Sequence, residues 1–239
     1  MITKLYKKET RGTADFGWLK ANFSFSFGNY FNPDRLQFGV LRVLNDDCIV
    51  AGMGFGTHPH KNMEIITIPL EGSLIHKDSM QNQGIIEFGE IQVMSAGTGI
   101  QHSEYNASNS DLLKLLQIWI FPENEEVEPR YDQKKFDLDS KKNSFVTIVS
   151  PQNKCEENSL WVHQQCYFNL GVFDDEKVIN YSLRNSGNGI FLFIIDGEII
   201  IDNQKMSSKD AMEITNCNQI EIITNLKSKI LLIEVPMKN

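Results

Sequence analysis

Short runs of Ile, Val, Phe and Leu, broken by Gly, Asn and Asp, recur along the whole chain, and this rhythm restricts the fold more than any other feature. They lie at 38–44, 63–70, 88–94, 112–121, 145–150, 189–201 and 220–235. Apolar segments this short, bounded by turn formers, read as β-strands. No stretch shows the three-and-four spacing of a long amphipathic helix. Regular strands without helices predict an all-β sandwich or barrel. The polar stretch 78–84 reads as a hairpin tip.

The 239 residues suffice for one large or two ordinary domains. Residues 122–129 are acidic, bounded by Pro122 and Pro129, and lack apolar periodicity, so they read as a linker or surface loop with a solvated acidic face. A boundary near residue 135 then gives domains 1–135 and 136–239. A faint repeat relates residues 68–75 to 193–200, each a strand, an acidic residue with glycine, and a second strand. Aligning Gly72 with Gly197 sets His58 against Leu183, His60 against Asn185 and Glu64 against Gly189. If the halves are duplicates, the second lacks the polar set of the first.

A net charge of −8 argues against direct nucleic-acid binding, which wants a basic face. The longest apolar run, 190–195, ends at Asp196. It falls far short of the roughly 20 residues that span a bilayer, so no membrane association is expected. The first residues carry no apolar core of a signal peptide. Cys48, Cys155, Cys166 and Cys217 show no paired spacing, which reads as reduced thiols and a cytoplasmic setting.

Chemistry concentrates in Gly52-Met53-Gly54-Phe55-Gly56-Thr57-His58-Pro59-His60 and Ile100-Gln101-His102-Ser103-Glu104, which hold three of the five histidines. Residues two apart on a strand point to one face. His58 with His60, and His102 with Glu104, would therefore bring three imidazoles and a carboxylate to one point. Such a set suits a first-row transition metal with a coordination position left open. His76 and His163 lie outside the pattern and are expected to be surface or structural residues.

The spacing of Gly52, His58, His60, Glu64 and Gly72 resembles the first cupin motif, with one extra residue before the last glycine. The segment from Gly89 to His102 resembles the second, with Ser95 at the usual proline and a longer glycine turn. On this resemblance Glu64 occupies the common ligand position, while Glu104 sits beside His102. A narrower likeness covers about half the chain strongly. Gly17-Trp18-Leu19, Leu41-Arg42-Val43-Leu44-Asn45-Asp46-Asp47, Thr57-His58-Pro59-His60, His76-Lys77-Asp78-Ser79-Met80 and Gly97-Thr98-Gly99-Ile100-Gln101-His102-Ser103-Glu104 resemble the pirin family, and most of all bacterial pirin-like quercetin 2,3-dioxygenases.

That resemblance implies a bicupin: two double-stranded β-helix (jelly-roll) barrels packed face to face, with only the first loaded. It implies metal ligation by His58, His60, His102 and Glu104, with Glu64 a near neighbour. Iron(II) is the implied metal, and Mn, Co, Ni, Cu or Zn are accepted by sites of this kind. The implied reaction is cleavage of a flavonol by dioxygen with release of carbon monoxide, Glu104 taking the 3-hydroxyl proton. Phe38, Met53, Phe55 and Ile66 are candidates to line the pocket, subject to strand register. Other readings are an iron redox sensor that binds a protein partner such as a transcription factor, a storage cupin without chemistry, or a cupin oxygenase or isomerase with another substrate.

Overall fold

The computed structural model describes residues 1–238. The first half contributes β1 (Ile2–Tyr6), β2 (Gly12–Asp15), β3 (Leu19–Phe23), β4 (Leu41–Ile49), β5 (Gly54–His60), β6 (Glu64–Glu71), β7 (Ser73–Asp78), β8 (Gln83–Glu87), β9 (Glu90–Ser95), β10 (Ile100–Asn106), β11 (Leu113–Ile120) and β12 (Arg130–Lys135). The second contributes β13 (Ser144–Pro151), β14 (Leu160–Val162), β15 (Tyr167–Phe173), β16 (Lys177–Ser182), β17 (Asn188–Asp196), β18 (Glu198–Ile201), β19 (Gln204–Ser207), β20 (Ala211–Thr215), β21 (Gln219–Thr224) and β22 (Ser228–Pro236). The only helices among the described residues are single 3₁₀ turns, and none is long and apolar enough to cross a membrane.

These strands form two sandwiches, each a seven-stranded sheet against a four-stranded one. The first pairs β12-β9-β6-β11-β4-β3-β2 with β5-β10-β7-β8, and the second pairs β1-β20-β17-β22-β15-β13-β14 with β16-β21-β18-β19. The orders correspond: β9-β6-β11-β4 matches β20-β17-β22-β15, and β5-β10-β7-β8 matches β16-β21-β18-β19. The faint repeat is thus one hairpin of a complete duplication. At its centre Gly72 and Gly197 hold φ of 79° and 83°, the left-handed turn that carries the chain from the large sheet to the small one. β1 crosses between halves, pairing with β20 from Ile2 opposite Thr215 to Tyr6 opposite Ala211.

The two large sheets pack face to face. Leu44, Ile66, Ile68, Leu116 and Ile118 of the first half share one buried cluster with Phe168, Phe191, Phe193, Leu231 and Ile233 of the second. A sheet buried on both faces has no solvent face to alternate with, which explains why the buried stretch Ile65-Ile66-Thr67-Ile68 shows no clean apolar-polar alternation. Side chains still alternate: Ile66 and Ile68 join the inter-sheet core, while Thr67 turns into the first barrel beside Glu104. The edge of this core is pinned by Asp46, which meets Arg11 Nη1 at 3.3 Å and Lys209 Nζ at 3.2 Å from the other half.

Phe191 is 1% exposed and lies 5.2 Å from the Phe25 ring and 6.0 Å from Phe38, both in the first half. Phe191→Ala is expected to cost about 3–5 kcal/mol. Urea unfolding should show one transition at lower denaturant, read equally by probes in either half. Separate melting of the halves would contradict a shared core.

Candidate metal centre and its cavity

Strands β5 and β10 are neighbours, with His102 opposite His58 and Ile100 opposite His60. The ladder then slips, so that Glu104 faces Phe55, and a bulge of this kind re-aims the side chains beside it. Close approach of the two backbones requires glycine at position 54, where a Cβ would collide with the Glu104 carbonyl oxygen and Tyr105 Cα. The imidazoles of His58, His60 and His102 converge. Ring centroids are 4.4 Å apart for His58–His102, 4.8 Å for His60–His102 and 4.9 Å for His58–His60. Their nearest ligating nitrogens all lie within 4.8 Å of one another.

The ring states follow from the surroundings. His58 Nδ1–H donates to the Gly56 carbonyl at 2.8 Å, which leaves its Nε2 lone pair free. Burial, reinforced by His58, pushes the His60 pKa down to about 4. Burial and the neighbouring imidazoles push His102 down to about 2. Neutral imidazole is the metal-binding form. Both His102 ring nitrogens are buried without a hydrogen-bond partner, and each such group costs about 1–3 kcal/mol unless something engages it. Three converging imidazoles, two of them held neutral by burial and one orphaned of hydrogen bonds, fit a divalent first-row ion.

Glu104 is 2% exposed. Its Oε2 accepts from Gln117 Nε2 at 2.8 Å, and the Thr67 hydroxyl lies 3.4 Å from its Oε1 and 2.9 Å from Gln117 Oε1. Burial pushes its carboxyl up to about 7 against the opposing pull of these hydrogen bonds. On its other side β10 pairs with β7, setting Glu104 opposite His76 and His102 opposite Asp78. His76, expected at the surface or in a structural role, is fully buried with its ring 5.3 Å from His102 and stacked on Tyr131 at 4.6 Å. The ligating atoms of His76, His102 and Glu104 also lie within 4.8 Å of one another. Two triads therefore share His102, and the carboxylate belongs to the one that includes His76. Nothing local in the sequence signals this, because it depends on which strand pairs with β10.

Beneath the histidines a polar row crosses the large sheet. Register sets Gln92 of β9 opposite Thr67 of β6, Thr67 opposite Gln117 of β11, and Gln117 opposite Asn45 of β4. The row opens on a cavity of about 700 Å³ that reaches His58, Glu104 and Gln117 and is walled by aromatic rings, among them Phe23, Phe27, Tyr30, Phe55 and Trp119. Ligand pockets commonly span about 300–1,000 Å³. Phe16, at the tip of the β2–β3 hairpin, lines its mouth and is 60% exposed. Asp47 also lines it, and burial pushes that carboxyl up to about 8, with Asp46 and Glu104 adding to the rise.

Of the expected wall residues, Phe55 lines the cavity, edge-on to Trp18 at 5.4 Å. Phe38 and Ile66 lie instead in the inter-sheet core. For Ile66 the reason is the face it occupies, opposite to that of Thr67. Met53 precedes β5 and is largely exposed. Glu64 shares the face of Ile66, so it turns away from the histidines. It accepts from Ser95 Oγ at 2.7 Å and from the His163 backbone, near Arg130. His163 packs edge-on against Trp161 at 5.1 Å, in the second half.

Comparison with known proteins agrees with this architecture. The pirin model matches residues 5–120, and a model described as the quercetinase C-terminal cupin domain matches residues 147–235. The quercetin 2,3-dioxygenase of Escherichia coli K12 is 41% identical over 233 residues, covering 97% of this chain and 98% of that protein. The chain belongs to the pirin family. A pirin-like protein of Caulobacter vibrioides is 32% identical over 93% of this chain and 95% of its own length. Among solved structures, E. coli YhhW superimposes with a TM-score of 0.93 at 39% identity, each chain covered in full. The nickel(II) complex of that bacterial pirin gives 0.92 at 39% identity, covering 98% of this chain and 99% of the other.

The position of Glu64 yields a prediction. Burial lifts its carboxyl to about 7, above the usual range. The folded protein then holds a proton that the unfolded chain releases near pH 4.5. This contribution to stability is intact below pH 4.5 and is lost as pH rises through 7. Glu64→Gln removes that loss, so its unfolding free energy should fall by about 2–3 kcal/mol less than wild type between pH 4.5 and 8. Metal content should be unchanged. A mutant that loses metal would return Glu64 to the ligand set.

Proposed function

We propose that this pirin-family protein is a metal-dependent dioxygenase that opens flavonols such as quercetin at the 2,3 bond and releases carbon monoxide. The observation that carries the reading is the convergence of three histidines, with His102 also within ligating distance of a buried, near-neutral carboxyl, beside an aromatic-walled cavity that reaches His58 and Glu104. Relationship to the E. coli quercetin 2,3-dioxygenase over nearly the whole chain supports it.

His58, His60, His102 and Glu104 are the proposed ligands, and iron(II) the proposed resident metal; the related E. coli pirin was solved with nickel(II). Bound there, such an ion supplies Lewis acidity and, if redox-active, a path for electrons between a flavonol and dioxygen. The chain supplies the rest. Phe55, Trp119 and the other rings offer flat apolar surface to a planar tricyclic substrate and exclude water. Glu104 accepts the 3-hydroxyl proton, for which a carboxyl near 7 is well matched to neutral pH. Gln117 and Thr67 hold that carboxyl in place through the change. The four free cysteines support a reducing, cytoplasmic setting.

The test is quercetin consumption with carbon monoxide detection on protein of measured metal content. Turnover should scale with the metal. His102→Ala should lose both metal and turnover. Glu104→Gln should retain part of the metal and lose at least about a hundredfold in rate, the usual scale for removing a general base. Normal turnover by Glu104→Gln would remove the base assignment. Metal without turnover in the wild type would favour the redox-sensor or other-substrate readings.

A further inference from the structure

The proposed chemistry uses one end of the cavity and leaves two polar side chains on its wall without a task. On β4, Asn45 and Asp47 point to the cavity, while Asp46 points the other way and is held by Arg11 and Lys209. Asn45 is 3% exposed and Asp47 4%. Asn45 Oδ1 and Asp47 Oδ1 are both buried without a partner, and no cation pairs with Asp47 among the described residues. Their cross-strand neighbours offer no relief. Phe23 and Gln117 lie opposite Asn45, with the Gln117 amide donating to Glu104 instead, while Ala21 and Leu115 lie opposite Asp47. The small Ala21 leaves the carboxyl facing open space.

A buried carboxyl without donor or cation is costly to the fold. Structural packing gives no reason to keep one, since an apolar side chain would fill the place at lower cost. A ligand that hydrogen-bonds there gives a reason. A neutral carboxyl both donates and accepts, and the Asn45 carbonyl accepts. Together they match a phenolic hydroxyl on a flat ring clasped by Phe23, Tyr30 and Phe55.

We propose that Asp47 and Asn45 form a second polar anchor in the cavity, binding a ring hydroxyl of a planar polyphenol other than the oxygens engaged at the histidine end. The inference rests on the flavonol reading of the same cavity and deepens it. It assigns specificity for hydroxylated over bare rings to β4, outside the metal-ligand strands.

Two flavonols separate the alternatives. Quercetin carries hydroxyls on both outer ring systems, whereas 3-hydroxyflavone keeps only the 3-hydroxyl and 4-carbonyl. Binding is measured by calorimetry under nitrogen, so that no turnover intervenes, on metal-bearing wild type, Asp47→Val and Asp47→Asn. The valine variant should weaken quercetin by about tenfold or more while leaving 3-hydroxyflavone within about twofold. The asparagine variant should restore most of the quercetin affinity. Metal content should not change, and the thermal midpoint of Asp47→Val should not fall below wild type.

Equal loss for both flavonols, no loss for either, or a lowered midpoint with both affinities reduced would overturn the anchor. If the wild type binds both flavonols and only this discrimination is missing, the anchor fails and the dioxygenase reading stands. If the wild type binds neither, the flavonol reading fails and takes the anchor with it.

Discussion

Burial of the two large sheets on both faces is the constraint on which the rest of the molecule depends. Each central strand must satisfy two interiors at once, one between the barrels and one inside its own barrel. Strand alternation separates them: Ile66, Ile68, Leu116 and Ile118 serve the first, and Thr67, Gln117 and Asn45 the second. A slip of one residue would exchange the two rows, burying the polar row between the barrels and emptying the site. The apolar contact with the second half therefore sets the register that lays Thr67 and Gln117 beneath Glu104. Stability and site geometry are one requirement here, imposed strand by strand.

Over that floor lies the small sheet with the histidines. Packing it closely desolvates the imidazoles of His60 and His102 and the Glu104 carboxyl, keeps those two imidazoles neutral and brings the carboxyl near neutrality. The same desolvation makes each lone pair a stronger donor to a cation than it would be in water. The slip between His102 and Glu104 places the carboxylate toward Gln117 and His76, while the imidazoles converge with their neighbours on β5.

What the sequence made legible was local in origin. Pairs two apart on a strand must share a face, so the grouping of His58 with His60 and of His102 with Glu104 follows from spacing alone. Gly72 and Gly197 marked equivalent hairpins because both need a left-handed turn. The hidden features depend on contacts between distant segments. His76 enters through the pairing of β7 with β10. The polar row takes one residue from each of four strands, and none stands out within its own. The face of Ile66 was ambiguous because a strand buried on both sides erases the alternation that would have revealed it. Glu64 matched a general cupin spacing, yet it shares that face and points at Arg130 and the His163 backbone.

Duplication makes the second barrel an internal control. Where β10 turns Ile100, His102, Glu104 and Asn106 inward, the matching β21 turns in Ile220, Ile222 and Thr224, and an apolar cluster fills the space. The second half also buries a carboxylate, Glu234, but gives it donors: the Tyr181 hydroxyl at 2.8 Å, the Arg184 and Asn185 backbone N–H groups, and Asn188 Nδ2 at 2.9 Å. In the first barrel His76, Gln92, His102, Asn45 and Asp47 all keep buried polar atoms without partners. The same architecture can satisfy an interior polar group, as it does for Glu234 in the second half. Among the described residues the unsatisfied groups gather in one of two matching barrels, so they are not a cost of the fold itself. A metal and a substrate at the proposed site would engage several of them, and the shared inter-sheet core joins the second barrel to the half that holds them.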